Sequence, residues 1–178
     1  MKKHEAPVDV KIYVITVSSS RYKKYGDLSL NSSNLSKIND IDDESGKILI
    51  SELQKDFNVI GYSLVPDDEI KILACTFQAL EKANTIIICG GTGLNPKDVT
   101  VEAIKKIIDK EIVGFGEILR VISYKEIGDA AILTRAFAGI YKGRAIFCIP
   151  GSPNAVRTSL NIIRNNLRHI LSHAQGLV

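Results

Sequence analysis

Residues 90–100 read Gly-Gly-Thr-Gly-Leu-Asn-Pro-Lys-Asp-Val-Thr and follow directly on the apolar run Thr85 to Cys89. Gly90, Gly91 and Gly93 let a backbone turn through positive φ and approach a ligand closely, so that free N–H groups cradle an anion. Thr92 adds a hydroxyl and Lys97 a cation, and a helix N-capped by Thr100 aims its positive end at the same place. Phosphate is the natural guest. The run is neither a P-loop, since no Gly-Lys-Ser/Thr closes it, nor a dinucleotide fingerprint, since the third glycine is missing. A glycine-rich turn that serves only strand-to-helix geometry has the same composition. A second anion-ready loop is Pro150-Gly-Ser-Pro-Asn, with Ser152 as N-cap, Pro153 at the first helical position and Gly151 allowing close approach. Taken alone, Ser152 reads more readily as a plain cap than as a ligand contact, but two such loops suit a nucleotide triphosphate and a second phosphorylated substrate.

Phosphoryl or nucleotidyl transfer needs charge neutralisation, commonly by Mg²⁺ held on a few carboxylates. Asp67 and Asp98 each follow a predicted strand and are the candidates to share one Mg²⁺ through the triphosphate. Each has a capping alternative, at the helices predicted from Glu69 and from Thr100. Asp42, Asp43 and Glu44 read as a solvated capping run at another helix start. Glu117, in Gly-Phe-Gly-Glu, suits the paired N–H donors of a pterin-like ring, or is an exposed first-turn residue. Ser19, in the Ser18 to Ser20 run, joins the binding candidates. His169 and His173 stand four apart, a spacing metal sites use, but their place in a final helical turn explains them without a metal.

These residues need a scaffold. Lys11 to Val17, Asn58 to Val65, Thr85 to Cys89 and Arg144 to Ile149 have the length and the β-branched content of strands. Helical spacing marks Glu44 to Phe57, Glu69 to Lys82 with Ile70, Leu73, Ala74, Phe77 and Leu80 on its apolar face, Val101 to Ile108, Gly114 to about Ser123, and a long helix with Val156, Leu160, Ile163, Leu167 and Leu171 inward. Ala138 to Tyr141 pairs with Arg144 to Ile149 around Lys142-Gly143. Residues 1–10 read as a tail and residues 21–42 as a long polar loop. Alternating strands and helices predict a mostly parallel sheet with helices on both faces, a three-layer α/β/α sandwich in one domain over residues 1–178. Ligands of such sheets gather beyond the carboxyl ends of the strands, here the loops after Val17, Val65, Cys89 and Ile149.

Composition narrows the function. With 45% hydrophobic and 24% charged residues, the 178-residue chain is ordinary for a globular domain. A net charge of +3 is too small and too dispersed for a nucleic-acid footprint. No apolar stretch approaches the roughly 18 residues that span a bilayer, and no signal core follows Met1. Cys75, Cys89 and Cys148 lie in apolar segments without Cys-x-x-Cys spacing and read as buried thiols. The expectation is a cytoplasmic protein that binds neither nucleic acid nor membrane.

Taken in order, Asp43-Glu-Ser-Gly, Val65-Pro-Asp-Asp, Gly90-Gly-Thr-Gly with Asp98-Val-Thr and Glu102-Ala, Gly114-Phe-Gly-Glu, and Pro150-Gly-Ser-Pro-Asn-Ala resemble the MoaB/Mog family of molybdenum cofactor biosynthesis, which includes the gephyrin G domain. The resemblance runs from Lys11 onward. It implies the molybdopterin-binding MogA-like fold, self-association to trimers or, in the MoaB branch, hexamers, and hand-over of product to the molybdate-inserting enzyme. It also implies the reaction: the phosphate of molybdopterin attacks the α-phosphorus of Mg-ATP, giving adenylyl-molybdopterin and pyrophosphate. By motif position Asp67 and Asp98 are the essential carboxylates, and Gly90 to Gly93 with Gly151 and Ser152 grip phosphate or nucleotide. Two departures stand out: Lys97 replaces the family's usual Arg, which loses the planar fork, and Ser18-Ser-Ser-Arg21 stands where an acidic residue is common. A non-catalytic molybdopterin-binding scaffold is the rival class, and a nucleotide-binding enzyme on a flavodoxin-like sheet a third.

Overall fold

The computed structural model describes residues 8–178. In chain order it runs β1 (Lys11–Val17), α1 (Ser19–Tyr25), β2 (Leu28–Asn31), a 3-10 turn (Leu35–Asp40), α2 (Glu44–Leu53), β3 (Asn58–Val65), α3 (Glu69–Leu80) and β4 (Thr85–Cys89). It continues with α4 (Thr100–Lys105), β5 (Lys110–Glu111), α5 (Val113–Ile127), a second 3-10 turn (Gly128–Leu133), β6 (Phe137–Tyr141), β7 (Arg144–Ile149) and α6 (Pro153–Ala174).

All seven strands form one sheet in the order β2-β3-β1-β4-β7-β6-β5. The four strands foreseen from their apolar runs make its parallel centre, β3-β1-β4-β7. Side chains alternate along β1: Ile12 and Val14 pack with α2, α5 and α6, whereas Ile15 and Val17 pack with α3 and α4. Helices therefore cover both faces, giving three layers. Ile86, Ile87 and Ile88 of β4 are fully buried between them, and each such side chain stabilises the fold by about 1.5–3 kcal/mol. Lys142 and Gly143 both take positive φ, as the predicted hairpin between β6 and β7 requires.

Register decides where the chemistry sits. Val17 stands beside Val65, Thr16 beside Cys89, and Cys89 beside Ile149, so four parallel strands end level on one rim.

Three expectations need correction. Residues 21–42 are no long loop: they form most of α1, the edge strand β2 antiparallel to β3, and a 3-10 turn. Only Leu30, Leu35, Ile38 and Ile41 are buried there, the last three at the three-residue spacing of the 3-10 turn rather than that of a strand or α-helix. The expected tail, residues 1–10, lies outside the described residues up to residue 7; beyond that, Val8 and Val10 already pack on the core and the Val10 carbonyl accepts from Asn58 N–H. On α3 Leu80 is buried as expected, but with Ile72, Thr76 and Ala79 rather than Ile70, which is 78% exposed, or Phe77, which is exposed too. The Asp68 side chain caps that helix.

Candidate active site

Gly90 begins where β4 stops, with φ +103°, and Gly91 follows with φ +66°. A Cβ at Gly90 would run into the Val17 carbonyl, and one at Gly91 into Thr100 Oγ1. Glycine is thus required by both conformation and space. The turn is tied across the rim by Gly90 N–H to the Ile149 carbonyl (3.0 Å) and by Thr100, whose N–H donates to Gly91 O (3.1 Å) and whose hydroxyl donates to Gly90 O (2.9 Å). Thr100 is the first residue of α4 and clamps the turn; the N-cap position is Val99, with no side-chain cap. Among the described residues, none accepts a hydrogen bond from the N–H of Gly91, Thr92, Gly93 or Leu94. Four consecutive donors in a glycine turn form an anion-binding concavity.

The second loop enters α6 as predicted: Pro153 opens the helix and Ser152 Oγ accepts from Ala155 N–H (3.4 Å). Gly151 lies against Gly90, a Cβ there reaching 3.4 Å from the Gly90 Cα. The two glycine loops therefore share a cleft of about 360 Å³, lined on one side by Gly90 to Gly93, Asp98 and Pro150 to Ser152. Ile127, Ala130, Ala131 and Leu133 form its apolar wall, and Ser123 reaches it from α5.

Asp98 lines the cleft, its Oδ2 accepting from Asn95 N–H (3.0 Å). Asp67 stands after β3 on the same rim, outside the cleft lining. Its Oδ2 accepts from Ser19 N–H (2.9 Å) and Ser19 hydroxyl (2.7 Å), while its own N–H donates to Ser19 Oγ. Ser18 N–H donates to the Val65 carbonyl, which locks the ends of β1 and β3 together. Lys97 is exposed, and its N–H closes a small turn on Asn95.

The family described as "Probable molybdopterin binding domain" matches residues 13–169 of this chain. The chain belongs to that family. The molybdopterin adenylyltransferase of Pyrococcus furiosus is 41% identical, across 97% of this chain and 96% of that protein. A Methanocaldococcus jannaschii relative named "Probable molybdopterin adenylyltransferase" is 42% identical, across 96% of this chain and 97% of that protein. The crystal structure of the tungsten cofactor synthesizing protein MoaB from Pyrococcus furiosus superposes with a TM-score of 0.82 at 41% identity, covering 95% of this chain and 99% of that one. The family match thus spans both glycine loops, Asp67 and Asp98.

Not every sequence candidate reaches the site. Glu117 is exposed on α5 and does not line the cleft, because Phe115 and Gly116 turn inward beside it. His169 and His173 stack edge-to-face at 4.5 Å, and no cluster of three or more His, Cys, Asp or Glu side chains that could hold a metal occurs among the described residues. Cys89 and Cys148 are buried, which pushes their thiols well above the ordinary range; Cys75 is half-buried.

Asp43 is the largest correction. It caps α2 as expected, Oδ1 accepting from Gly46 N–H, but it is not solvated: it is 1% exposed, and its Oδ2 accepts from Thr16 Oγ1 and Tyr62 hydroxyl, both 2.7 Å. Burial, then the Asp43 charge, push the Tyr62 phenol far up. This buried network fixes the start of α2, whose Ser45 hydroxyl donates to the Gly151 carbonyl (2.8 Å). Ser45 stands in the Asp43-Glu-Ser-Gly motif, where its contact to Gly151 was not foreseen; sequence spacing gave no sign of Arg135, whose guanidinium reaches the carbonyls of Gly93 and Asp98.

Proposed function

We propose that this chain is a molybdopterin adenylyltransferase, joining the phosphate of molybdopterin to the α-phosphorus of ATP and releasing adenylyl-molybdopterin and pyrophosphate. One observation carries the reading: two glycine loops and Asp98 open into a single cleft, with Asp67 on the same rim. The naming of full-length relatives at 41% and 42% identity supports it. In this reading the amides of Gly91 to Gly93 and the Thr92 hydroxyl grip phosphate oxygens and hold the reacting groups in line. Gly151 and Ser152 take the second anionic group at the α6 N-terminus. Ile127, Ala131 and Leu133 offer an apolar surface to a flat ring, and Lys97 and Ser19 lend positive charge and a hydroxyl at the rim.

Asp67 and Asp98 are the residues that would hold Mg²⁺. Each carboxylate keeps Oδ1 clear of any protein donor among the described residues. Two carboxylates without a larger cage suit an ion that retains several waters and is completed by substrate phosphates. When bound, it supplies charge neutralisation on the triphosphate.

Self-association to a trimer or hexamer belongs to the same proposal. Val113, Ile118, Val121 and Tyr124 of α5 and Ile132 of the following turn are all at least half exposed and form the apolar surface a second copy would cover. No helix among the described residues is long and apolar enough to cross a membrane, and free thiols suit the cytoplasm. There the adenylylated product would pass to the molybdate-inserting enzyme.

The test is direct: incubate purified protein with molybdopterin, ATP and Mg²⁺ and measure pyrophosphate and adenylyl-pterin. Stoichiometric formation of both is expected. Bound pterin without either product would replace the enzyme with a scaffold.

A further inference from the structure

Arg135 sits just before β6, behind the first glycine loop. Its backbone N–H donates to the Thr92 carbonyl (3.3 Å), its Nε to Gly93 O (2.9 Å) and its Nη2 to Asp98 O (3.1 Å). The remaining face of the guanidinium engages the Glu102 carboxylate of α4 through both Nη1 and Nη2. One side chain thus bridges two loop positions five residues apart and anchors them to a helix. The peptide bonds are all trans among the described residues, and in a trans plane C=O and N–H point to opposite sides. A carbonyl drawn toward Arg135 therefore turns the next N–H away from it. The amides so aimed are those of Gly93 and Leu94, two of the four that no protein group uses.

We propose that Arg135 is a positioning residue for the phosphate loop: its planar fork, held in place by Glu102, sets the peptide plane that presents the Leu94 amide to an anion, while its backbone N–H sets that of the Gly93 amide. This rests on reading the cleft as a phosphate site. The hydrogen bond from the Arg135 fork keeps the Glu102 carboxyl below its ordinary value. Lysine cannot replace the fork, because a single ammonium does not span the two carbonyls and the carboxylate together.

Arg135→Lys and Glu102→Gln test this, each titrated with inorganic pyrophosphate while backbone amide resonances are followed, alongside turnover. Wild-type protein should show pyrophosphate-dependent shifts at Gly93 and Leu94. Arg135→Lys, which keeps the backbone N–H on Thr92 O but not the fork, should lose the Leu94 shift while still melting cooperatively, and kcat should fall about 10²-fold while KM moves by less than about threefold. Glu102→Gln, which keeps the guanidinium, should give a smaller loss, on the order of tenfold in kcat. A merely structural arginine would lower the melting temperature and leave the folded fraction with full turnover and unchanged amide shifts; that result overturns the proposal. If wild-type protein makes no adenylyl-pterin, the adenylyltransferase reading fails and the amide titration still decides: a Leu94 shift present in wild type and lost in Arg135→Lys supports positioning, whereas a Leu94 shift unchanged by the substitution, or absent from both, overturns it. Should Arg135→Lys not fold, Glu102→Gln decides by the same titration.

Discussion

Residues 90–100 and residues 150–153 line the same cleft, yet they present backbone donors by different means. The first loop needs positive φ at Gly90 and Gly91, and side chains from Thr100 and Arg135 hold its carbonyls. Its following helix, α4, is six residues long and has no side-chain cap, so the loop's own shape supplies the donors and the macrodipole adds little. The second loop needs no unusual φ at Gly151. It runs straight into the 22-residue α6 with Ser152 and Pro153 in the ordinary capping positions, and its donors are those of any helix start. A loop of the first kind is intolerant of side chains and depends on distant clamps. A loop of the second kind is locally encoded and forgiving.

That contrast can be broken by mutation. If Asp98 of the first loop and Asp67 after β3 hold Mg²⁺ as proposed, Asp98→Asn should leave the fold intact and cut pyrophosphate release by about 10²–10³-fold, with Asp67→Asn following it. Full activity in both variants would remove the metal site from the proposal. Next in size, Asp43→Ala should cost about 3 kcal/mol in urea unfolding, because it strands the Thr16 and Tyr62 hydroxyls and the Gly46 N–H without an acceptor. A loss below about 1 kcal/mol would mean that water replaces the carboxylate. Gly91→Ala should cost about 1–3 kcal/mol from strained backbone alone and abolish pyrophosphate-dependent amide shifts. Smaller still, Ser152→Ala should lose about 1 kcal/mol of capping with a modest change in pterin affinity; unchanged affinity would leave Ser152 as a cap only. Gly151→Ala should stay within about 0.5 kcal/mol in thermal unfolding, since its Cβ meets the Gly90 Cα at ordinary contact distance. Equal damage from Gly91→Ala and Gly151→Ala would erase the distinction between the loops.

The same division explains what could be read in advance. The parallel strands were legible because each is a β-branched run bounded by polar or glycine residues, and α6 because its capping residues and inward Val156, Leu160, Ile163, Leu167 and Leu171 are local signals. Residues 21–42 were not, because α1 buries nothing, β2 buries only Leu30, and Leu35, Ile38 and Ile41 make too short a run at three-residue spacing to mark an element. Asp43 reads as a surface acid until folding brings Thr16 and Tyr62 to it from 27 and 19 residues away. Arg135 is hidden for the same reason: its carbonyl partners lie 42 and 37 residues earlier. Side chains whose role is to hold another segment carry no local mark.

Because Gly90 N–H is bound by the Ile149 carbonyl, the last parallel strand to leave the ribosome completes a turn that was synthesised nearly sixty residues before it. Contacts so distant along the chain form late. Until β7 is made, the chain therefore lacks both the acceptor that ties Gly90 across the rim and the Pro150 to Ser152 wall of the cleft.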